Sequence, residues 1–104
     1  MIIEMRTYNI RVGRLNDFIN IYDKEIRAIH TKILGNQIGF FFSEFGELNQ
    51  VVHLYGYKNF EDRKKRREKL IKRKEFLNYL QKVAPMILSQ KSQLMNGTKF
   101  SKIK

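Results

Sequence analysis

At 104 residues the chain has room for one domain with a modest core, and its 42% hydrophobic and 12% aromatic content can fill one. A net charge of +11, with 30% charged residues, implies a wet, basic surface and makes an acidic partner worth weighing. The absence of cysteine excludes disulfides, thiolate metal sites and a cysteine nucleophile, and two histidines are too few for a histidine-only metal site within one subunit, so neither metal nor cofactor is expected.

No stretch approaches the roughly 18 apolar residues of a membrane span. The N-terminal MIIEMRTYNI lacks the basic and long apolar regions of a signal peptide, and a cytoplasmic location is the expectation.

Residues 2–12 alternate as a strand does, with Ile3, Met5, Thr7 and Asn9 on one face and Ile2, Glu4, Arg6, Tyr8 and Ile10 on the other. Gly13 ends it. From Arg14 to about Ile33, Leu15, Phe18, Ile19, Tyr22, Ile26, Ile29 and Ile33 recur at spacings of mostly three and four, which predicts an amphipathic helix. Gly35-Asn36 supplies its stop, and His30, beside the apolar stripe near that end, reads as a surface or cap residue.

The stretch GFFFSEFGELNQVVHLYGY, residues 39–57, predicts a hairpin whose aromatic and β-branched strands flank the turn cluster Gly46-Glu47-Leu48-Asn49. Alternation puts Ile38, Phe40, Phe42 and Glu44 on one face of its first strand. In its second strand Val51, His53, Tyr55 and Tyr57 oppose Val52, Leu54 and Gly56, the latter set reading as core with Gly56 admitting a close helix.

Asn59 is placed to cap a helix from Phe60, with Glu61 and Asp62 in its first turn. Between Lys58 and Lys74 stand ten basic residues against three acidic, so most of the excess charge is here. An apolar pattern resumes through Phe76, Leu77, Tyr79, Leu80 and Val83, as one kinked helix or two short ones, until Pro85 ends it. Met86 to Met95 predicts a last strand. Residues 1–97 thus make one domain, and 98–104 a basic C-terminal tail.

The order β-α-β-β-α-β defines an α+β, ferredoxin-like fold with a four-stranded antiparallel sheet and both helices on one face. The other face would be bare, and pairing with the sheet of a second copy, as a homodimer, is the natural cover.

Several residues resemble one family over nearly the whole of 2–95. Glu4-Met5-Arg6-Thr7-Tyr8 matches E-x-R-x-Y, and Gly39, Glu44, Gly46, Leu48, Asn49, Val51, His53 and Leu54 match its hairpin in register. Arg63 with Arg66-Arg67, and Ser89-Gln90, match its helix and last strand. The chain is identified on these motifs as a member of the NIPSNAP family. That resemblance implies a dimeric α/β barrel, and it implies no particular reaction. Tyr55 stands where the family usually has Trp, and Arg73-Lys74-Glu75-Phe76 replaces a common D-P-x-W. Eukaryotic members include mitochondrial proteins, but a chain that starts directly at its first strand does not indicate mitochondrial import.

If the helices cover Ile3/Met5, Phe41 and Val52/Leu54, the dimer interior receives Glu4, Arg6, Tyr8, Phe40, Phe42, Glu44, His53, Tyr55 and Tyr57, joined by Gln90. Aromatic walls with a few convergent polar groups are what a small-molecule site needs. Alternatively, Glu4, Arg6, Glu44 and His53 satisfy one another as a buried network that fixes sheet register or the dimer. A catalytic reading makes His53 the general base, Arg6 the anion partner and Glu4 or Glu44 the orienting group, by analogy with cofactor-free oxygenation and isomerisation on related barrels.

The basic run Arg63–Lys74 allows non-specific phosphate contact, or attachment to an acidic partner. Few aromatics are interleaved and no recognition signature accompanies it, which argues against specific nucleic-acid binding. Arg63, Arg66 and Arg67 belong to the family pattern, so at least one is expected to make a structural contact, reaching toward the sheet.

Overall fold

A computed structural model describes residues 1–104. Strand β1 (Ile2–Ile10) leads into α1 (Leu15–Ile21), which continues through a π-helical turn, Tyr22–Ile26, into α2 (Arg27–Leu34). Then come β2 (Asn36–Phe42), β3 (Gln50–Tyr57), α3 (Phe60–Ile71), α4 (Lys74–Val83), a 3-10 turn at Ala84–Met86 and β4 (Ile87–Asn96). The strands pair antiparallel in the order β2-β3-β1-β4, the ferredoxin-like arrangement expected. No helix is long and apolar enough to cross a membrane.

Local chemistry explains the boundaries. Gly35 adopts φ +91° at the end of α2, and a Cβ there would also press within 2.9 Å of the Arg66 guanidinium. Asn59 caps α3 by accepting the Asp62 N–H at 2.9 Å, while the Asp62 carboxylate accepts the Lys58 N–H at 3.0 Å. The second helical region is two helices, broken at Lys72-Arg73. The β2–β3 turn places Gly46 and Asn49 at φ 84° and 58°, as its composition requires.

Register decides which face meets the helices. Arg6 pairs with His53 and with Ser92, and Phe40 pairs with His53, so these side chains share one face. That face packs under the helices: Ile10, Val51, Tyr55 and Tyr57 are buried with Phe18, Tyr22, Ile26 and Leu70 in a single core. Each such side chain stabilises the fold by roughly 1.5–3 kcal/mol.

The expected orientation of the sheet is therefore reversed. Ile3, Met5, Phe41, Val52 and Leu54 lie on the face without helices, and the Glu4–Arg6–Tyr8 face is internal to the single chain. The reason is volume: the polar-bearing face also carries the large rings that fill the space beneath helices, whereas the alternate face carries Thr7, Gly39 and Gly56. Gly56 accordingly lies beneath Asn36, Met1 and Ile38, not beneath a helix. Gly39 has the Phe41 ring folded over it, at 2.5 Å from where a Cβ would stand. A bulge at Ile38 breaks the simple alternation of β2, because Gln37 pairs with Tyr55 and Gly39 with Leu54. Gln37, not Ile38, thereby joins the helix-covered face.

Candidate functional site

Beneath the helices the sheet encloses a cavity of about 250 Å³. Its floor is made by Arg6 and Tyr8 of β1, Phe40 of β2, His53 of β3 and Gln90 of β4. Phe18, Tyr22 and His30 enter from the first helical region, and Phe76, Tyr79 and Val83 from α4. Arg67 and Ile71 of α3 complete the lining with Leu80 and Ile87. The walls are mostly apolar, and no aspartate or glutamate lines them.

His53 lies at the centre of this floor. Its ring is tilted against those of Phe40, 5.0 Å away, and Tyr8, 5.1 Å away. The residue is 3% exposed, and neither Nδ1 nor Nε2 has a hydrogen-bond partner. Burial, then the charge of a protonated His30 and of Arg6, depress its basicity to a pKa of about 3, so the imidazole is neutral. A buried polar side chain with both nitrogens unpartnered costs about 1–3 kcal/mol, and native structures keep few of them.

His30, by contrast, is held from behind. Its Nδ1 lies 2.8 Å from both the Tyr22 and Tyr55 hydroxyls, which are 3.1 Å apart. Gln37 donates its amide N–H groups to both phenolic oxygens, at 3.0 and 2.8 Å. The two phenolic protons then have only each other's oxygen and Nδ1 to bond, and both are used only if Nδ1 accepts. His30 is thus the Nε2–H tautomer, with its proton free of any bond within the chain. Burial, with Arg67 and Arg6 nearby, lowers its pKa to about 4. Burial raises the Tyr22 and Tyr55 phenols above their ordinary range, so both keep their protons.

The π turn explains why the sequence pattern misplaced His30. A turn with one extra residue gives His30 the angular position residue 29 would hold in an uninterrupted α-helix, and Leu34 that of residue 33. Phe18, Tyr22, Ile26, His30 and Leu34 are therefore the buried stripe, while Ile29 and Ile33 are only half-buried. His30 is 5% exposed, neither a surface nor a cap residue. Nothing in the residue types marks the extra turn; a strict spacing of four from Phe18 to Leu34 was the available signal.

Beside the cavity, Glu4 is fully buried. Arg63 donates to it twice, Nε to Oε1 at 2.9 Å and Nη2 to Oε2 at 3.0 Å. Arg6 Nη1 donates to Oε2 at 2.9 Å, and the Ser92 hydroxyl to the same oxygen. Burial alone would raise the carboxyl, but the bonds from Arg63, Ser92 and Arg6 outweigh it and hold its pKa at about 2. Arg6 also donates Nε to the Tyr8 hydroxyl at 3.0 Å. Glu4 is thereby saturated; it orients Arg6 and does not face the cavity.

Of the ten residues singled out by alternation, Arg6, Tyr8, Phe40, His53 and Gln90 line one cavity. Glu4 and Tyr55 stand behind it as supports of Arg6 and His30. Tyr57 does not line the cavity; burial and the charge of Glu4 raise its phenol, and the Arg67 guanidinium, which approaches its hydroxyl, opposes the shift. Phe42 is half exposed at the end of β2, and Glu44 is exposed in the loop beyond it, so neither joins the site. Glu44 also stands outside the Glu4–Arg6 network, and His53 bonds to neither glutamate. The sequence pattern missed Tyr22, His30 and Arg67, which come from helices rather than from alternating strands.

The basic run divides in the same way. Arg63 reaches Glu4, and Arg66 donates to Asp62 at 2.9 Å and to the Ile33 carbonyl at 3.0 Å, closing the end of α2. Arg67 faces the cavity and makes no ion pair. Lys64, Lys65, Lys69 and Lys72 remain on the exposed side.

An antiparallel ferredoxin-like sheet with a polar-aromatic cavity under its helices defines the class. The NIPSNAP family model matches residues 3–102, and the chain belongs to the NIPSNAP family. A curated relative, Protein NipSnap homolog of Dictyostelium discoideum, is 33% identical over 90 residues, covering 86% of this chain and 40% of that protein. The chain therefore spans well under half of that relative's length. A NIPSNAP family protein of Agrobacterium tumefaciens has a crystal structure that superposes with a TM-score of 0.96 at 34% identity, over 99% of this chain and 98% of that one. A dimeric ferredoxin-like protein from an uncultured marine organism superposes at a TM-score of 0.76 over 97% of this chain and 91% of its own; at 15% identity this likeness concerns the fold alone.

Proposed function

We propose that the protein binds a small organic molecule in the cavity between its sheet and its helices. The observation that carries this reading is His53, whose two nitrogens are buried and unpartnered in the cavity floor. A purely structural network would have satisfied them, as it satisfies Glu4 and the inner side of His30. The free Nε2–H of His30 and the amide of Gln90 add polar groups to the same apolar space, the usual composition of a ligand site. At about 250 Å³ the cavity is smaller than the roughly 300–1,000 Å³ of drug-sized sites, which suits a ligand of one or two rings.

The reading is binding rather than general-base catalysis. An imidazole whose conjugate acid has a pKa of about 3 is a weak acceptor for a substrate proton at neutral pH. The face bearing Ile3, Met5, Val52 and Leu54 is, in this proposal, covered by a second copy. Such a homodimer would leave one cavity in each protomer.

Titration with a library of small ring compounds, followed by the imidazole resonances of His30 and His53, tests the proposal. Saturable shifts at both rings that disappear in Leu80→Trp, which fills the cavity from α4, are expected. Shifts that persist in Leu80→Trp, or none at all, would contradict it.

A further inference from the structure

Taking the cavity as a binding site, the free hydrogen-bonding groups that line it identify the kind of molecule it accepts. Arg6 spends Nε on Tyr8 and Nη1 on Glu4, and its Nη2 has no partner. Arg67 makes no ion pair, although half-buried and followed by Glu68 on its own helix, and the polar group it approaches is the neutral Tyr57 hydroxyl. His30 offers Nε2–H. Against these donors the lining sets no carboxylate.

The charge is unbalanced as well. Arg6 and Arg63 already share the single buried carboxylate of Glu4, which leaves Arg67 with no anionic counterpart. A half-buried guanidinium beside neutral histidines and aromatic walls, with no carboxylate near it, is a favourable place for an anion. A planar guanidinium with no anionic partner matches a carboxylate through two parallel hydrogen bonds.

We propose that the ligand is a small organic acid whose carboxylate pairs with Arg67 and whose apolar body lies against Phe18, Phe76 and Tyr79. Arg67 stands nearer solvent than the deeply buried His53, so the acid enters with its ring leading and its carboxylate last. The Nε2–H of His30 meets whatever polar group the ring carries, and is the second point of selection. An inorganic anion would satisfy Arg67 but leave the apolar walls empty, which is why the body of the ligand matters as much as its charge.

The test compares benzoate and phenylacetate with benzamide and phenylacetamide, read from the His30 and His53 resonances of the intact protein. The acids are expected to bind at least tenfold more tightly than the amides of the same shape. Arg67→Gln should reduce that ratio below threefold, Arg67→Lys should keep part of it, and Lys64→Gln, on the exposed side of the same helix, should leave it intact. Equal affinities for acid and amide in the unaltered protein would overturn the assignment while leaving the cavity as a site for neutral molecules. So would a ratio that survives Arg67→Gln, or one that falls equally in Lys64→Gln. Failure of every probe, acid and amide alike, to move either histidine would overturn the cavity reading itself, and this assignment with it.

Discussion

Arg63 of α3 and Glu4 of β1 are 59 residues apart in sequence and meet through two hydrogen bonds of 2.9 and 3.0 Å. The pair pins the basic helix to the second strand residue that the helices cover, and through Glu4 it also fixes Arg6 at the cavity. Loss of the carboxylate would leave two guanidinium groups facing each other with no negative charge between them. Glu4→Gln is expected to lower stability by about 3 kcal/mol or more, measured as the shift in urea unfolding midpoint. A loss of less than about 1 kcal/mol, the value of an exposed pair, would contradict a structural role for this contact.

Acid should unfold the protein through its histidines. Burial holds His30 at about 4 and His53 at about 3, against about 6.5 for an unfolded chain. Above pH 6.5 neither state is protonated and stability is complete. As pH falls from 6.5 toward 4 the unfolded chain takes up protons that the native state refuses, and each histidine lowers stability by about 1.4 kcal/mol per pH unit. Glu4, held at about 2 against an ordinary 4.5, adds a further loss below pH 4.5. Urea midpoints should therefore fall steeply between pH 6.5 and 4.5; a flat profile there would show the histidines to be solvated.

The helix-free face offers a separate prediction about assembly. Leu54 and Met5 are adjacent across β3 and β1 on that face and only half-buried. Leu54→Glu is expected to convert a dimer into a folded monomer in sedimentation velocity. An unaltered protein that sediments as a monomer throughout the micromolar range would contradict the proposed pairing of sheets.

The fold was legible because its determinants are local. The alternation of residues 2–10, the Gly46–Asn49 turn and the Asn59 cap each act over a few residues, and all lie where the pattern put them. The face choice was not local. Alternation separates two sets of side chains but does not say which set meets the helices, and the polar look of Glu4, Arg6 and His53 hid the bulk of Tyr8, Tyr55 and Tyr57 beside them. The whole cavity floor was still identified, because residues on one strand face stay together whichever way that face turns. The Ile38 bulge and the π turn each insert one residue into a regular repeat, and a single extra residue displaces Gln37 and His30 onto the functional face. Arg67 was hidden in a run of like charges, where only tertiary contact separates an inward arginine from its solvated neighbours.

Replacement of His53 by phenylalanine separates a role in ligand binding from a role in the core. The ring would keep its packing against Phe40 and Tyr8 while the two unpartnered nitrogens are removed. His53→Phe is therefore expected to raise stability at pH 7 by roughly 1–3 kcal/mol in urea unfolding and to weaken binding of the cavity probes. A variant that is less stable than the unaltered protein and binds the probes equally well would contradict the account.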